Sequence, residues 1–204
     1  ISKFEGEGLF DNDKLVFSHL NTLIVCDLLT LRCKNFQIPE KLIRGKIYAS
    51  HKRDYYFIAK EDKLYELNLQ SKNFKERKLN TKNRINFVMP LNELLVVIYD
   101  NEIHFLDEKS KIVELVKHPN NSNPGFLNAS KVDNNTIVFG SWYEGLLLYH
   151  RQTKETKVIF WDDPDIVHQG VLSVFIDPQK QIWVSTVNGL RKYDLITNTF
   201  EQLS

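Results

Sequence analysis

The sequence predicts an all-β chain built from a four-stranded antiparallel unit that repeats about every forty residues. Three observations carry this reading. Short β-branched and aromatic runs are bounded by turn residues, matching positions recur at a nearly constant interval, and no window keeps apolar residues at i, i+3, i+4 and i+7 over several turns. Composition agrees: eight Gly, six Pro and one Met stand beside 24 aromatic residues in 204, which favours strands and turns over helices.

The units follow in chain order, with boundaries at about 1–40, 41–82, 83–121, 122–167 and 168–204. The first is anchored at Asp27, after Cys26, with Leu23 and Val16 four and eleven positions earlier; Glu5-Gly6-Glu7-Gly8 interrupts its innermost strand. The second repeats this with Asn68, Leu67, Leu64 and Phe57, and the third with Asp107, Leu106, Ile103 and Val96. The fourth has His150, Tyr149, Leu146 and Phe139. The fifth has Asp194, Tyr193, Leu190 and Trp183. Successive anchors fall 41, 39, 43 and 44 residues apart.

The last unit shows the strands most clearly. Val171–Ile176, Ile182–Thr186, Leu190–Asp194 and Thr199–Leu203 are separated by Asp177-Pro178, Asn188-Gly189 and Thr197-Asn198, a meander of hairpins. A four-stranded unit at this period is the signature of a β-propeller, because one small sheet cannot cover both its faces and must stack on its neighbours. The apolar columns then form the core between blades. Five blades either close a ring or form part of a larger one, and a cut ring exposes apolar faces that favour self-association.

The stretch Asp177 to Asp194 resembles the two-component regulator propeller repeat: an acidic turn, Ile182-Trp183, Thr186, Gly189-Leu190 and Tyr193-Asp194. Gly140 to His150, with Gly145, Leu146 and Tyr149, is similar to a second copy in which His150 replaces the Asp. Units one to three keep only the apolar skeleton. The resemblance implies a non-enzymatic sensor segment of a bacterial hybrid two-component system, periplasmic or extracytoplasmic and anchored in the inner membrane through other regions. It implies a downstream histidine kinase outside these residues, and an oligosaccharide as the ligand class.

Physical chemistry assigns the motif residues structural roles. Gly189 and Gly145 suit turns needing positive φ, Asp194 and Asp27 suit capping of the following turn, and Trp183 and Tyr193 supply buried area with a polar edge. Cys26 and Cys33 fall in the columns of Tyr193 and Phe200, and are read as two buried free thiols filling an apolar gap. In an oxidising compartment the alternative is a disulfide closing an eight-residue loop.

Several functions are excluded or disfavoured. Lys plus Arg is 27 against 26 Asp plus Glu, which lacks the basic excess of a nucleic-acid binder. The longest apolar run, Leu94 to Tyr99, is far shorter than the about 20 residues of a membrane span. No signal peptide is visible at Ile1, and the missing initial Met suggests an excised piece. The six histidines form no metal motif and most are read as loop or surface residues; no metal and no cofactor is expected. No phosphate-cradling or serine-elbow motif occurs, and Asp162-Asp163 reads as a solvated loop. The sequons at Asn120, Asn128 and Asn134 mean only Asn-rich loops in a bacterial protein.

A binding face is expected where the connections between second and third strands open beside those between blades. There lie Trp142-Tyr143-Glu144, the stretch from His118 to Phe126, and Trp161 to His168. Aromatic platforms beside carboxylates suit sugar recognition. The candidate ligand residues are Trp142, Tyr143, Glu144, Trp161, Asp163 and His168. The alternatives are a propeller enzyme, a lyase or glycan hydrolase, or a protein-binding scaffold.

Overall fold

The computed structural model describes residues 8–11, 13–120, 122–160 and 170–203. It contains five four-stranded antiparallel sheets, each a meander of consecutive strands. Sheet one holds β1 (Gly8–Asp11), β2 (Lys14–His19), β3 (Thr22–Asp27) and β4 (Arg32–Gln37). Sheet two holds β5 (Lys46–Ala49), β6 (Tyr55–Lys60), β7 (Lys63–Asn68) and β8 (Asn73–Arg77). Sheet three holds β9 (Phe87–Leu91), β10 (Leu94–Ile98), β11 (Glu102–Leu106) and β12 (Ile112–Lys117). Sheet four holds β13 (Phe126–Lys131), β14 (Thr136–Ser141), β15 (Leu146–His150) and β16 (Glu155–Ile159). Sheet five holds β17 (Val171–Ile176), β18 (Ile182–Thr186), β19 (Gly189–Asp194) and β20 (Thr199–Leu203). The first strand of each sheet packs beside the first strand of the next, from β1 to β17. This is the propeller arrangement.

The anchor column caps the turn between third and fourth strands in every sheet. Asp27 accepts the N–H groups of Leu29 and Thr30, and Asn68 those of Gln70 and Ser71. Asp107 accepts from Lys109 and Lys111, and Asp194 from Ile196 and Thr197. His150 takes the same part more weakly, its Nδ1 lying 3.4 Å from the Thr153 nitrogen. Each turn then passes through a left-handed residue: Leu31, Lys72, Ser110, Lys154 and Asn198. A carboxylate that accepts turn N–H groups is stabilised in its charged form. The Thr197 and Ile196 amides accordingly hold the Asp194 carboxyl below its ordinary value, and those of Thr30 do so for Asp27.

Four apolar clusters fill the spaces between neighbouring sheets, and among the described residues none joins sheet five to sheet one. Leu23, Leu64, Ile103 and Leu146 face the following sheet and are each 0 % exposed. Leu190 holds the same column in sheet five and is 42 % exposed, because no described sheet covers it. Phe175, two strands away on the same face, is 61 % exposed. Polar contacts cross the same boundaries. Glu114 of sheet three receives the Tyr149 hydroxyl and the Lys154 ammonium of sheet four, the latter at 2.8 Å. Arg77 of sheet two donates to Ser110 Oγ at 2.9 Å and to the Asp107 carbonyl at 3.1 Å in sheet three.

Two expectations need correction. Phe139 is not the partner of Trp183 in the repeat. Ile182 pairs with Tyr193 but Ile137 pairs with Tyr149, so Val138 takes the Trp183 position. The connection after β14 carries one more residue between paired positions than the one after β18, and a one-residue shift turns a strand residue to the other face. Two of the histidines, His104 and His118, are buried, and His104 Nε2 lies 3.0 Å from Glu102 Oε1.

Cys26 and Cys33 are not free thiols in an interior layer but a disulfide across β3 and β4, with their Cα atoms 4.0 Å apart. Cys33 is exposed. The Tyr193 column faces the preceding sheet, and among the described residues sheet one has none. There the disulfide replaces packing. Loop-closure entropy gives it about 2.5 kcal/mol. Cys33→Ser should lower the unfolding free energy measured in urea by that amount and abolish reductant sensitivity, while the unsubstituted protein loses stability on reduction. An unsubstituted protein that unfolds identically with and without reductant would refute the cross-link.

Candidate functional site on the loop face

The β14–β15 connection is shaped by Ser141, which is 1 % exposed. Its hydroxyl donates to the Gly145 carbonyl at 3.0 Å and accepts the Glu144 N–H at 2.9 Å. Thr186 does the same in sheet five, donating to the Gly189 carbonyl at 2.9 Å and accepting the Asn188 N–H at 3.1 Å. Gly145 and Gly189 have φ values of 67° and 113°, as the sequence expectation required. They differ in space. A Cβ on Gly145 would stand 2.6 Å from the Ile159 carbonyl, whereas one on Gly189 meets nothing within 4 Å.

This connection docks on the segment leading into β13. The Trp142 N–H donates to the Gly125 carbonyl at 2.9 Å, and the Tyr143 N–H to the Pro124 carbonyl at 3.1 Å. Gly125 has φ of 64°, and a Cβ there would lie 3.2 Å from Trp142 Cβ. Trp142 also lies against Gly170 at the entry to sheet five. Both rings reach the surface, Trp142 at 37 % and Tyr143 at 52 % exposure.

His118 sits within the same segment at 3 % exposure. Its Nδ1 lies 3.1 Å from Ser122 Oγ and 3.4 Å from the Asn120 nitrogen. Its ring packs 6.3 Å from Phe126. With Nδ1 accepting the Asn120 N–H, the neutral ring carries its proton on Nε2. That nitrogen has no hydrogen-bond partner among the described residues. Burial pushes the His118 pKa down and the nearby Glu144 carboxylate opposes this, leaving it lowered overall. The ring is therefore neutral at pH 7, and an unmet buried donor lies near a carboxylate.

Two of the three segments expected to form the binding face thus come together. Trp142, Tyr143 and Glu144 meet the stretch holding His118 and Gly125. Trp161, Asp163 and His168 lie outside the described residues. His118 was not singled out as a ligand residue in the sequence, where nothing marked it as buried. The repeat residues behave as structure: the Trp183 indole N–H donates to Asp177 Oδ2 at 2.8 Å, and the Tyr193 hydroxyl to Asn198 Oδ1 at 2.9 Å. Among the described residues no three His, Cys, Asp or Glu side chains converge as a metal site.

No protein-family model matches the chain, and no curated protein matches it. Solved structures do. The extracellular domain of hybrid two component system BT3049 from B. thetaiotaomicron aligns with a TM-score of 0.68 and 17 % identity, over 95 % of this chain and 29 % of that one. The extracellular domain of one component system BT4673 from the same organism gives 0.70 and 18 %, over 97 % and 27 %. A catalytically inactive virginiamycin B lyase from Staphylococcus aureus, with quinupristin, gives 0.76 and 11 %, over 100 % and 72 %. The shared feature is the fold: the chain is a β-propeller segment. It spans less than a third of the two sensor domains it matches.

Gly145→Ala should cost about 2 kcal/mol or more, combining an unfavourable φ with collision against the Ile159 carbonyl, and Gly189→Ala about 1 kcal/mol. Equal losses in chemical denaturation would show that space at Gly145 is irrelevant.

Proposed function

We propose that the chain is a non-enzymatic, ligand-sensing propeller segment of an extracytoplasmic receptor of the two-component class, with the kinase outside these residues. The observation that carries the reading is the loop face itself. Two exposed aromatic rings, Trp142 and Tyr143, precede Glu144 on a connection docked against the segment that runs from His118 to Phe126. A flat apolar surface with a carboxylate acceptor suits an oligosaccharide, whose rings offer apolar faces rimmed by hydroxyls. Trp161, Asp163 and His168 belong to the proposed site on sequence grounds. The Cys26–Cys33 disulfide and the likeness to extracellular sensor domains both support an oxidising, extracytoplasmic setting. No helix among the described residues is long and apolar enough to cross a membrane.

The ligand signals only by favouring one arrangement of the receptor over another. A thermal-shift screen of neutral oligosaccharides is expected to find a ligand whose affinity falls about tenfold or more in Trp142→Ala and Tyr143→Ala, roughly 1.4 kcal/mol or above. Unchanged affinity in both folded variants would remove the site. The likeness to a virginiamycin B lyase supports a second reading, a propeller lyase or hydrolase. Conversion of the bound sugar, lost in His118→Ala, would establish it instead.

Self-association belongs to the same proposal. Phe175 and Leu190 form the uncovered face of sheet five, and an apolar face of this kind is a contact surface. Sedimentation should show a concentration-dependent oligomer that dissociates in Phe175→Lys with Leu190→Lys. A monomer at every concentration would refute this part.

A further inference from the structure

A second site lies between sheets one and two, at the outer rim and on the end of the propeller opposite the loop face. The meander topology separates the two: turns β3–β4 and β7–β8 open on one end, and β14–β15 on the other. A groove of about 720 Å³ runs along β4, bounded by the β3–β4 turn and by the β7–β8 turn of sheet two. This lies within the range of about 300–1,000 Å³ usual for small-ligand sites.

Its lining combines charge with an apolar floor. Arg32, Lys34 and Phe36 alternate along β4 and share the face turned toward sheet two, where Phe36 enters the apolar cluster. Residues two apart on a strand stand about 7 Å from one another. Lys72 of the β7–β8 turn and Lys14 of β2 complete the cationic lining, and Val25 and Leu69 extend the floor. The only carboxylates in the lining are Asp27 and Asp54. Both are engaged within the wall. Asp27 is held by the amides of its own turn, with Thr30 at 2.7 Å. Asp54 accepts Lys14 and the Gln70 amide at 3.3 Å, and the Lys14 contact lowers its pKa. Arg32, Lys34 and Lys72 have no ion-pair partner among the described residues. Four cations against two carboxylates leave an excess of two charges in one groove, while the whole chain carries a net charge of +1.

We propose that this groove binds a small multivalent anion, carrying carboxylate or sulfate groups around an apolar ring face. The two β4 cations and Lys72 meet the oxyanions, and the ring lies over Phe36, Val25 and Leu69. The site is independent of the loop face, and its success or failure leaves the reading of Trp142 and Tyr143 untouched.

The test is calorimetric titration of the full chain at low salt with two probes. One is trimesate, a benzene ring bearing three carboxylates; the other is a sulfated tetrasaccharide cut from heparin. Neutral maltotetraose serves as the reference. At least one anionic probe is expected to bind, with affinity falling about tenfold or more in Arg32→Glu with Lys34→Glu, and also in Lys72→Glu on the opposite wall. Lys63→Glu with Lys82→Glu makes the same charge change away from the groove and should alter affinity less than about twofold. Binding of the sulfated sugar alone assigns a carbohydrate source, of trimesate alone a small carboxylate, and of both the shared oxyanion chemistry. The proposal is overturned if neither anion binds, if maltotetraose binds equally well, or if the control pair weakens binding as much as the groove variants. Lys72→Glu leaves β4 unaltered, so a folding defect in the β4 pair does not protect the proposal.

Discussion

Everything in this molecule follows from a four-stranded twisted sheet that is apolar on both faces. Such a sheet needs a neighbour on each side, and the described sheets obtain neighbours only by stacking in chain order. The columns Leu23, Leu64, Ile103 and Leu146 on one face, with Leu67, Leu106, Tyr149 and Tyr193 on the other, are two halves of one requirement. Where the neighbour is absent among the described residues, the same columns change character. Leu190 emerges into solvent, and the Tyr193 position of sheet one is filled by a cross-linked cysteine.

The sequence was legible wherever a residue acts on its immediate surroundings. The anchors Asp27, Asn68, Asp107, His150 and Asp194 cap the turn that follows them, a local interaction that leaves a fixed offset in the chain. Gly145 and Gly189 were readable for the same reason. Positions that depend on counting across a connection were harder, and one added residue after β14 moved Phe139 to the opposite face from Trp183. The cysteines were read as though a preceding sheet covered them, which no local pattern reveals. His104 and His118 resisted because imidazole is at home both in a loop and in a core, and only the packing decides.

The candidate loop face was partly visible as a set of aromatic and acidic residues, but the docking that makes it a site was not. That docking rests on backbone donors of Trp142 and Tyr143 and on carbonyls of Gly125 and Pro124, groups every residue possesses. Its specific content, an imidazole with one nitrogen satisfied and the other not, arises only once the segment folds over His118. The rim groove is legible to a different degree. Arg32 and Lys34 alternate visibly with Cys33, yet that they share the side of β4 turned toward sheet two, while remaining exposed, follows from the burial of Phe36 in the same row.

Because each sheet packs mainly on its sequential neighbours among the described residues, the described stack behaves as a one-dimensional chain of coupled units. Opening sheet three means breaking two interfaces, whereas a terminal sheet breaks one. The two terminal sheets are not equivalent, since the cystine ties the outer hairpin of sheet one while sheet five has no such tie among the described residues. Amide exchange therefore forms a gradient along the arc, fastest in β19 and β20 and slowest in β10 and β11. Within the described sheets, thermal fluctuation enters from one side.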